Sequence, residues 1–163
     1  MLLNVHSYYS LRYGTMSIEE LFELAQKFDH QSLAITDINN STGVMDFVKH
    51  AFVCGVKPIA GMDFRKGDTH LFTCIARNNE GFREINEFMT DHNLNEKELP
   101  EKAPNFNHVY VIYPFNLDKI RNLKDNEFIG IQVTDIRKLF SSVYRNNQEN
   151  LNVYYSVFPL AGS

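Results

Sequence analysis

The sequence of 163 residues has no apolar run near the roughly 20 residues a membrane-crossing helix needs, and no basic segment followed by an apolar one at its start. A soluble, cytoplasmic protein is expected, with no membrane partner. Cysteine is scarce: Cys54 and Cys74 stand far apart, which fits neither a disulfide framework nor a paired-Cys zinc motif, so both read as small buried apolar side chains. Excess positive charge is lacking as well. A formal net charge of -4 gives no long-range attraction to a polyanion, which disfavours a free-standing DNA binder. Glycine-rich phosphate loops, nucleophile elbows, low-complexity tracts and internal repeats are missing too.

What remains is the composition of a folded domain, 44% hydrophobic and 22% charged, and a pattern of short apolar runs alternating with amphipathic ones. Leu2 to His6 reads as a strand and Ser7 to Gly14 as the loop leaving it. Ser17 followed by Glu20 has the spacing of a reciprocal helix cap, ahead of Ile18, Leu21, Phe22, Leu24, Ala25 and Phe28 at helical spacing. Ser32 to Thr36 is the next strand, Val44 to Cys54 a helix ended by Gly55, and Val56 to Phe64 a strand broken by Pro58 and Gly61. His70 to Ala76 is a strand, and Asn78 or Asn79 caps a helix carrying Phe82, Ile85, Phe88 and Met89.

Asp91 to Asn107 is polar, carries Pro100 and Pro104, and reads as a connection with little core of its own. Strands follow at His108 to Tyr113, Phe128 to Val133 and Val153 to Phe158, with short helices at Leu117 to Leu123 and Asp135 to Phe140. The fold class is α/β, mostly parallel strands alternating with helices. About 250 residues make a closed eight-fold barrel, so this chain is expected to be the front part of something longer.

Four places set a polar side chain at the end of an apolar strand: His6, Asp37, Asp63 and the region of His70. Carboxyl ends of parallel strands converge, so His6, Asp37 and Asp63 could meet and hold zinc, manganese or iron, which would ionise a water to attack a phosphoester. Each has a plainer reading. His6 is equally a hydrogen-bonded structural histidine, Asp37 is more often a loop staple, Asp63 is evenly balanced, and His70 stands at the start of its strand, not the end. Tyr8 and Tyr9 could stack on a base, though loop aromatics usually close over a core. Arg65-Lys66, Lys119 with Arg121 and Lys124, and Arg137-Lys138 read as solvated surface.

Several strings together resemble the polymerase and histidinol phosphatase (PHP) domain, in particular the one opening the alpha subunit of bacterial DNA polymerase III. They are Asn4-Val5-His6-Ser7-Tyr8-Tyr9-Ser10-Leu11-Arg12-Tyr13-Gly14 against His-x-His-Ser-x-x-Ser-x-x-Asp-Gly, and Ala34-Ile35-Thr36-Asp37-Ile38-Asn39-Asn40 against Ala-Leu-Thr-Asp-His-Gly-Asn. Gly55 through Asp63 resembles Gly-x-Lys-Pro-Ile-x-Gly ending in Glu or Asp, and His70-Leu71 through Phe82 continues the match. The resemblance covers residues 1–92 well, leaves 93–107 as a connecting loop, and matches 108–163 weakly, all within one PHP-like domain.

That resemblance implies a partial PHP-type (β/α)7 barrel at the start of a replicative polymerase. Active members gather metal ions with His, Asp, Glu and Cys ligands; here Asn4, Tyr13 and Ile38 stand at three ligand positions, and the region of Gly130 to Thr134 has no Cys. What it leaves as metal ligands is His6, Asp63 and His70, with Asn4, Tyr13, Asp37 and Asn40 at the site mouth. A degenerate site with no bound cofactor is therefore expected, and a structural or interaction role beside the rest of the alpha subunit and a proofreading exonuclease subunit. DNA would be met through the parent protein, whose magnesium lies outside this chain. The alternative is a zinc- or manganese-dependent phosphoesterase or 3'-5' exonuclease using His6, Asp37, Asp63 and His70. A stand-alone small phosphatase is disfavoured because the chain ends before a barrel closes.

Overall fold

A computed structural model describes residues 3–115, 123–131, 135 and 151–153. Three helices and six strands make up its elements: α1 (Ile18–Lys27), β1 (Ser32–Ile35), α2 (Val44–Cys54), β2 (Lys57–Lys66), β3 (Thr69–Ala76), α3 (Asn79–Leu94), β4 (Val109–Pro114), β5 (Glu127–Ile131) and β6 (Leu151–Val153). The strands form one curled, half-barrel sheet in sequence order. Of the elements expected at 117–123, 128–133, 135–140 and 153–158, residues 117–122, 132–133, 136–140 and 154–158 lie outside the described residues.

The helices start and stop where their caps dictate. Ser17 Oγ accepts the Glu20 N–H at 3.2 Å while Glu20 Oε2 accepts the Ser17 N–H at 2.7 Å, closing the reciprocal cap of α1. Asn78 Oδ1 accepts the Gly81 N–H at 3.0 Å to open α3. Gly55, at φ +68°, ends α2 in the left-handed conformation a side chain would strain. Ile18, Leu21, Phe22 and Ala25 bury the apolar stripe of α1, whereas Phe28, one residue past the helix, is exposed.

Five strands run one way and β3 runs against them, pairing antiparallel with both β2 and β4. The cause is local: Gly67-Asp68 is a two-residue connection, with Gly67 at φ +58°, too short for anything but a hairpin. The strand expected to break at Pro58 and Gly61 is continuous. Lys57 donates its N–H towards β1, to Gln31, so the N–H missing at Pro58 falls on the far side, where pairing with β3 begins only at Gly61. Gly61 is required by space, since a Cβ there would stand 2.4 Å from the Cys74 carbonyl oxygen.

Expected as a strand, the first residues make only an isolated bridge at Asn4 among those described. They are nonetheless clipped to the end of β1: Thr36 donates its N–H to the Val5 carbonyl at 2.8 Å, and Val5 donates its own to Thr36 Oγ1 at 3.0 Å.

Helices cover one face of the sheet. α1 and α2 close Phe22, Phe47 and Ala51 over Leu33 and Ile35, and α3 closes Ile85 and Phe88 over Met62, Phe64, Phe72, Val111 and Ile129. The connection expected to carry little core contributes Leu99, Ala103 and Phe106 to the second cluster, and the helix before it runs on to Leu94. Ala103 donates its N–H to Tyr113 Oη, whose hydroxyl faces the buried Glu127; burial and that carboxylate push the phenol well above its ordinary pKa. Cys74 is buried as expected, while Cys54 is only half-buried.

On the other face, Ala34, Ile75 and Ile112 pack with Leu3, Ile59 and Phe128, and all of these but Ala34 line an apolar groove of about 830 Å³ that Val48 and Phe52 of α2 and Phe82 of α3 also border. No helix among the described residues is long and apolar enough to cross a membrane.

Candidate functional site

The polar end of the sheet is built around two carboxylates. Asp37 follows β1 and Asp63 lies in β2, and their main chains meet, Asp63 donating its N–H to the Asp37 carbonyl at 3.2 Å and receiving Asn39 N–H on its own carbonyl at 3.0 Å. Both side chains are buried, at 1% and 0% exposure. A buried carboxylate must be fully solvated by the protein, so its donors identify its role.

Asp37 takes uncharged donors from the first loop. Ser7 gives its N–H to Oδ1 at 2.8 Å and its hydroxyl to Oδ2 at 2.7 Å, and Ser10 gives its hydroxyl to Oδ1 at 2.6 Å. Ser10 Oγ then accepts the Ile38 N–H at 2.9 Å. The loop is thus stapled over the strand end, the plainer of the two roles expected for Asp37. Gly14 closes it, because a Cβ there would fall 1.7 Å from the Ser7 carbonyl oxygen.

Asp63 takes charged and titratable donors. His6 Nε2 lies 3.0 Å from Oδ2, and His70 Nε2 lies 2.7 Å from Oδ1. Arg65 adds its Nε and one terminal nitrogen, each 3.0 Å from Oδ2. Because a carboxylate only accepts, each imidazole presents Nε2–H to it. Burial alone would raise the Asp63 pKa; the hydrogen bonds from His6 and His70 and the charges of His70 and Arg65 outweigh it and hold the carboxyl well below the usual carboxylate range.

Two features of the strands deliver these partners. Antiparallel pairing sets the start of β3 beside the far end of β2, so His70 reaches Asp63 although it opens its own strand. The register also shifts there: Phe64 faces Phe72 and Arg65 faces His70, which leaves Leu71 as an extra residue. This bulge turns His70 onto the Thr73 side, where its Nε2 is 3.0 Å from Thr73 Oγ1, while Leu71 and Phe72 both stay in the core.

Arg65 is the member that its adjacency to Lys66 concealed. Read as solvated surface, its side chain is only 12% exposed, whereas Lys66 does point outward to Glu98. Its i, i+2 spacing from Asp63 along a strand, which places both on one face, is the signal that would have found it. The guanidinium lies 4.6 Å from the centre of the Tyr13 ring, and the Tyr13 hydroxyl donates to Asp68 at 2.6 Å. Asn39 clamps its main chain, Oδ1 accepting the Arg65 N–H at 2.9 Å and Nδ2 donating to its carbonyl at 2.8 Å.

The remaining expected residues sit around this cluster. Asn4 is buried with its side-chain oxygen lacking a hydrogen-bond partner among the described residues. Asn40 does not reach Asp63; it staples its own loop, donating to the Ile38 carbonyl at 2.9 Å and accepting the Thr42 N–H at 3.1 Å. None of the residues around Asp63 lines the apolar groove.

A metal ion needs donors whose lone pairs converge on one empty point. Here both imidazole nitrogens aim protons at Asp63, and an arginine fills the approach to Oδ2. Among the described residues no group of three or more His, Cys, Asp or Glu side chains is disposed to hold a metal. As it stands, the donor set does not fit a resident cation.

The family profile of the PHP domain matches residues 3–149. DNA polymerase III subunit alpha of Escherichia coli K12 is 38% identical over 90 residues, covering 51% of this chain and 8% of that one. The same subunit of Ureaplasma parvum is 34% identical over 83 residues, with the same shares, and that of Neisseria meningitidis 30% over 116 residues, covering 63% of this chain and 10% of its own length. The matches thus span about a tenth of these relatives. A crystal structure from Bifidobacterium adolescentis, assigned as a metal-dependent phosphoesterase, has a TM-score of 0.45 at 17% identity, covering 57% of this chain and 32% of that one.

Proposed function

This chain belongs to the PHP domain family, and we propose that it is a form of the domain whose metal site has become structural, serving as a bracing and interaction module of a replicative DNA polymerase alpha subunit. The observation that supports this reading is the state of Asp63: its two oxygens are committed to His6, His70 and Arg65. A carboxylate so compensated braces β2, β3 and the first loop against one another and offers nothing to an incoming phosphate. The partners on this reading are the rest of the alpha subunit and a proofreading exonuclease subunit, in the cytoplasm with the replication machinery, and DNA and magnesium are handled by the parent polymerase elsewhere.

The rival reading is a zinc- or manganese-dependent phosphoesterase or exonuclease using His6, Asp37, Asp63 and His70. It is weakened by Asp37, which the hydroxyls of Ser7 and Ser10 and the Ser7 N–H already occupy. The two part in an assay of the 163-residue chain on a phosphate monoester and on single-stranded DNA, with and without added manganese, beside His6→Ala. The structural reading predicts no turnover in either protein. Manganese-dependent hydrolysis that disappears in His6→Ala would establish the rival.

A further inference from the structure

We infer that the apolar groove on the open face of the sheet binds a small amphiphilic anion, an alkyl carboxylate whose chain lies on the groove floor and whose head meets Lys57 and Arg77. The inference is independent of the state of Asp63, none of whose partners lines the groove.

The first ground is the apolar surface. α2 buries Phe47 and Ala51 in the core, yet a second stripe of the same helix, Met45, Val48 and Phe52, borders the groove, with Met45 66% and Phe52 83% exposed. A helix that is apolar on two sides ordinarily has both covered. The floor adds Ile59, Ile75 and Ile112. At about 830 Å³ the groove falls within the roughly 300–1,000 Å³ of small-ligand sites, which are mostly apolar with a few placed polar groups.

The second ground is charge. Lys57 and Arg77 are the charged side chains among the described residues that line the groove, both cations, in a chain whose net charge is -4. Neither is paired with a carboxylate among the described residues.

Their placement gives the ligand its shape. Lys57 opens β2 and Arg77 directly follows β3, and because these strands pair antiparallel the start of one lies beside the end of the other. Both cations therefore stand at one end of the groove. The Tyr110 ring, its centre 5.0 Å from the Arg77 guanidinium, steadies that side chain. Cations gathered at one end of an apolar floor match a charged head on a single apolar body. Aliphatic side chains outnumber aromatic ones in the lining, which favours an alkyl chain over a stacked base.

The test is isothermal titration calorimetry of the full 163-residue chain with decanoate below its micellar concentration, beside decan-1-ol and thymidine monophosphate. Wild type is compared with Phe52→Asp and with Lys57→Gln combined with Arg77→Gln, all at exposed positions, so the variants are expected to melt with wild type. Wild type is expected to bind one equivalent of decanoate, more tightly than decan-1-ol, with NMR shifts at the Ile59, Ile75 and Ile112 amides. The double variant is expected to bind decanoate roughly tenfold more weakly and decan-1-ol as wild type does. Phe52→Asp, which sets a carboxylate and a lost ring beside the chain, is expected to weaken both.

No decanoate bound by wild type in either measurement would overturn the inference. Decanoate held no more tightly than decan-1-ol, or undiminished in the double variant, would overturn it by removing the role of the cations. Binding undiminished in Phe52→Asp, or shifts confined to residues outside the groove, would place the ligand elsewhere. Tighter binding of thymidine monophosphate would replace the alkyl body with a stacked base. The wild-type comparison and its NMR shifts decide the matter even where a variant does not fold.

Discussion

Asp37 and Asp63 are two buried carboxylates whose main chains touch, yet they are solvated in opposite ways. Asp37 is held by two serines of one loop; Asp63 is held by two histidines and an arginine drawn from the first loop, β2 and β3. Neutral donors close a local staple, which needs only a loop that folds back. A guanidinium and two imidazoles compensate a centre that joins three separate segments. The contrast sets a carboxylate that holds one loop in place beside one that the Arg65 guanidinium and two imidazoles hold across three segments.

The contrast breaks most sharply at Asp63. Asp63→Ala strands the Arg65 guanidinium without its counter-charge and two imidazoles without their acceptor, and removing one partner of a buried pair costs about 3–5 kcal/mol, read as a lowered urea midpoint. Acid should reach the same loss by another route. The Asp63 carboxyl is held low in the folded state, so its stabilisation is complete above the unfolded value of about 3.9 and is lost as pH falls below it towards the depressed folded value. Asp63→Asn is therefore expected to have a flatter acid limb than wild type in pH-dependent denaturation.

Asp37→Ala comes second. It leaves neutral donors unpaired at a cost of roughly 1–3 kcal/mol, and the damage stays local, visible as faster amide exchange at Ser7, whose N–H it frees. A greater loss from Asp37→Ala than from Asp63→Ala would reverse the comparison. Tyr13→Phe is smallest: it removes only an exposed bond to Asp68 and keeps the ring under Arg65, so its melting temperature should match wild type within error, with Tyr13→Ala below both.

Much of this was legible in the residues. Ser17 with Glu20, Asn78 and Gly55 mark helix ends by local chemistry that needs no tertiary context, and α2 falls where its pattern places it. Asp37 ahead of a polar run reads as a staple and is one. Strand direction was less accessible, because side-chain alternation is the same in parallel and antiparallel strands; only Gly67-Asp68, as a two-residue turn, carried that information. The place of His70 depended on that direction and on a one-residue bulge at Leu71, which no local pattern announces. Arg65 was hidden by Lys66, since two adjacent basic residues read as one exposed cluster although neighbours on a strand face opposite ways.

The most direct test of a centre compensated by Arg65, His6 and His70 is the metal content of the purified chain after dialysis against metal-free buffer, measured by inductively coupled plasma mass spectrometry. Far less than one equivalent of zinc, manganese and iron together per chain is predicted. One or more tightly held equivalents, retained in wild type and lost in Asp63→Ala, would contradict the account.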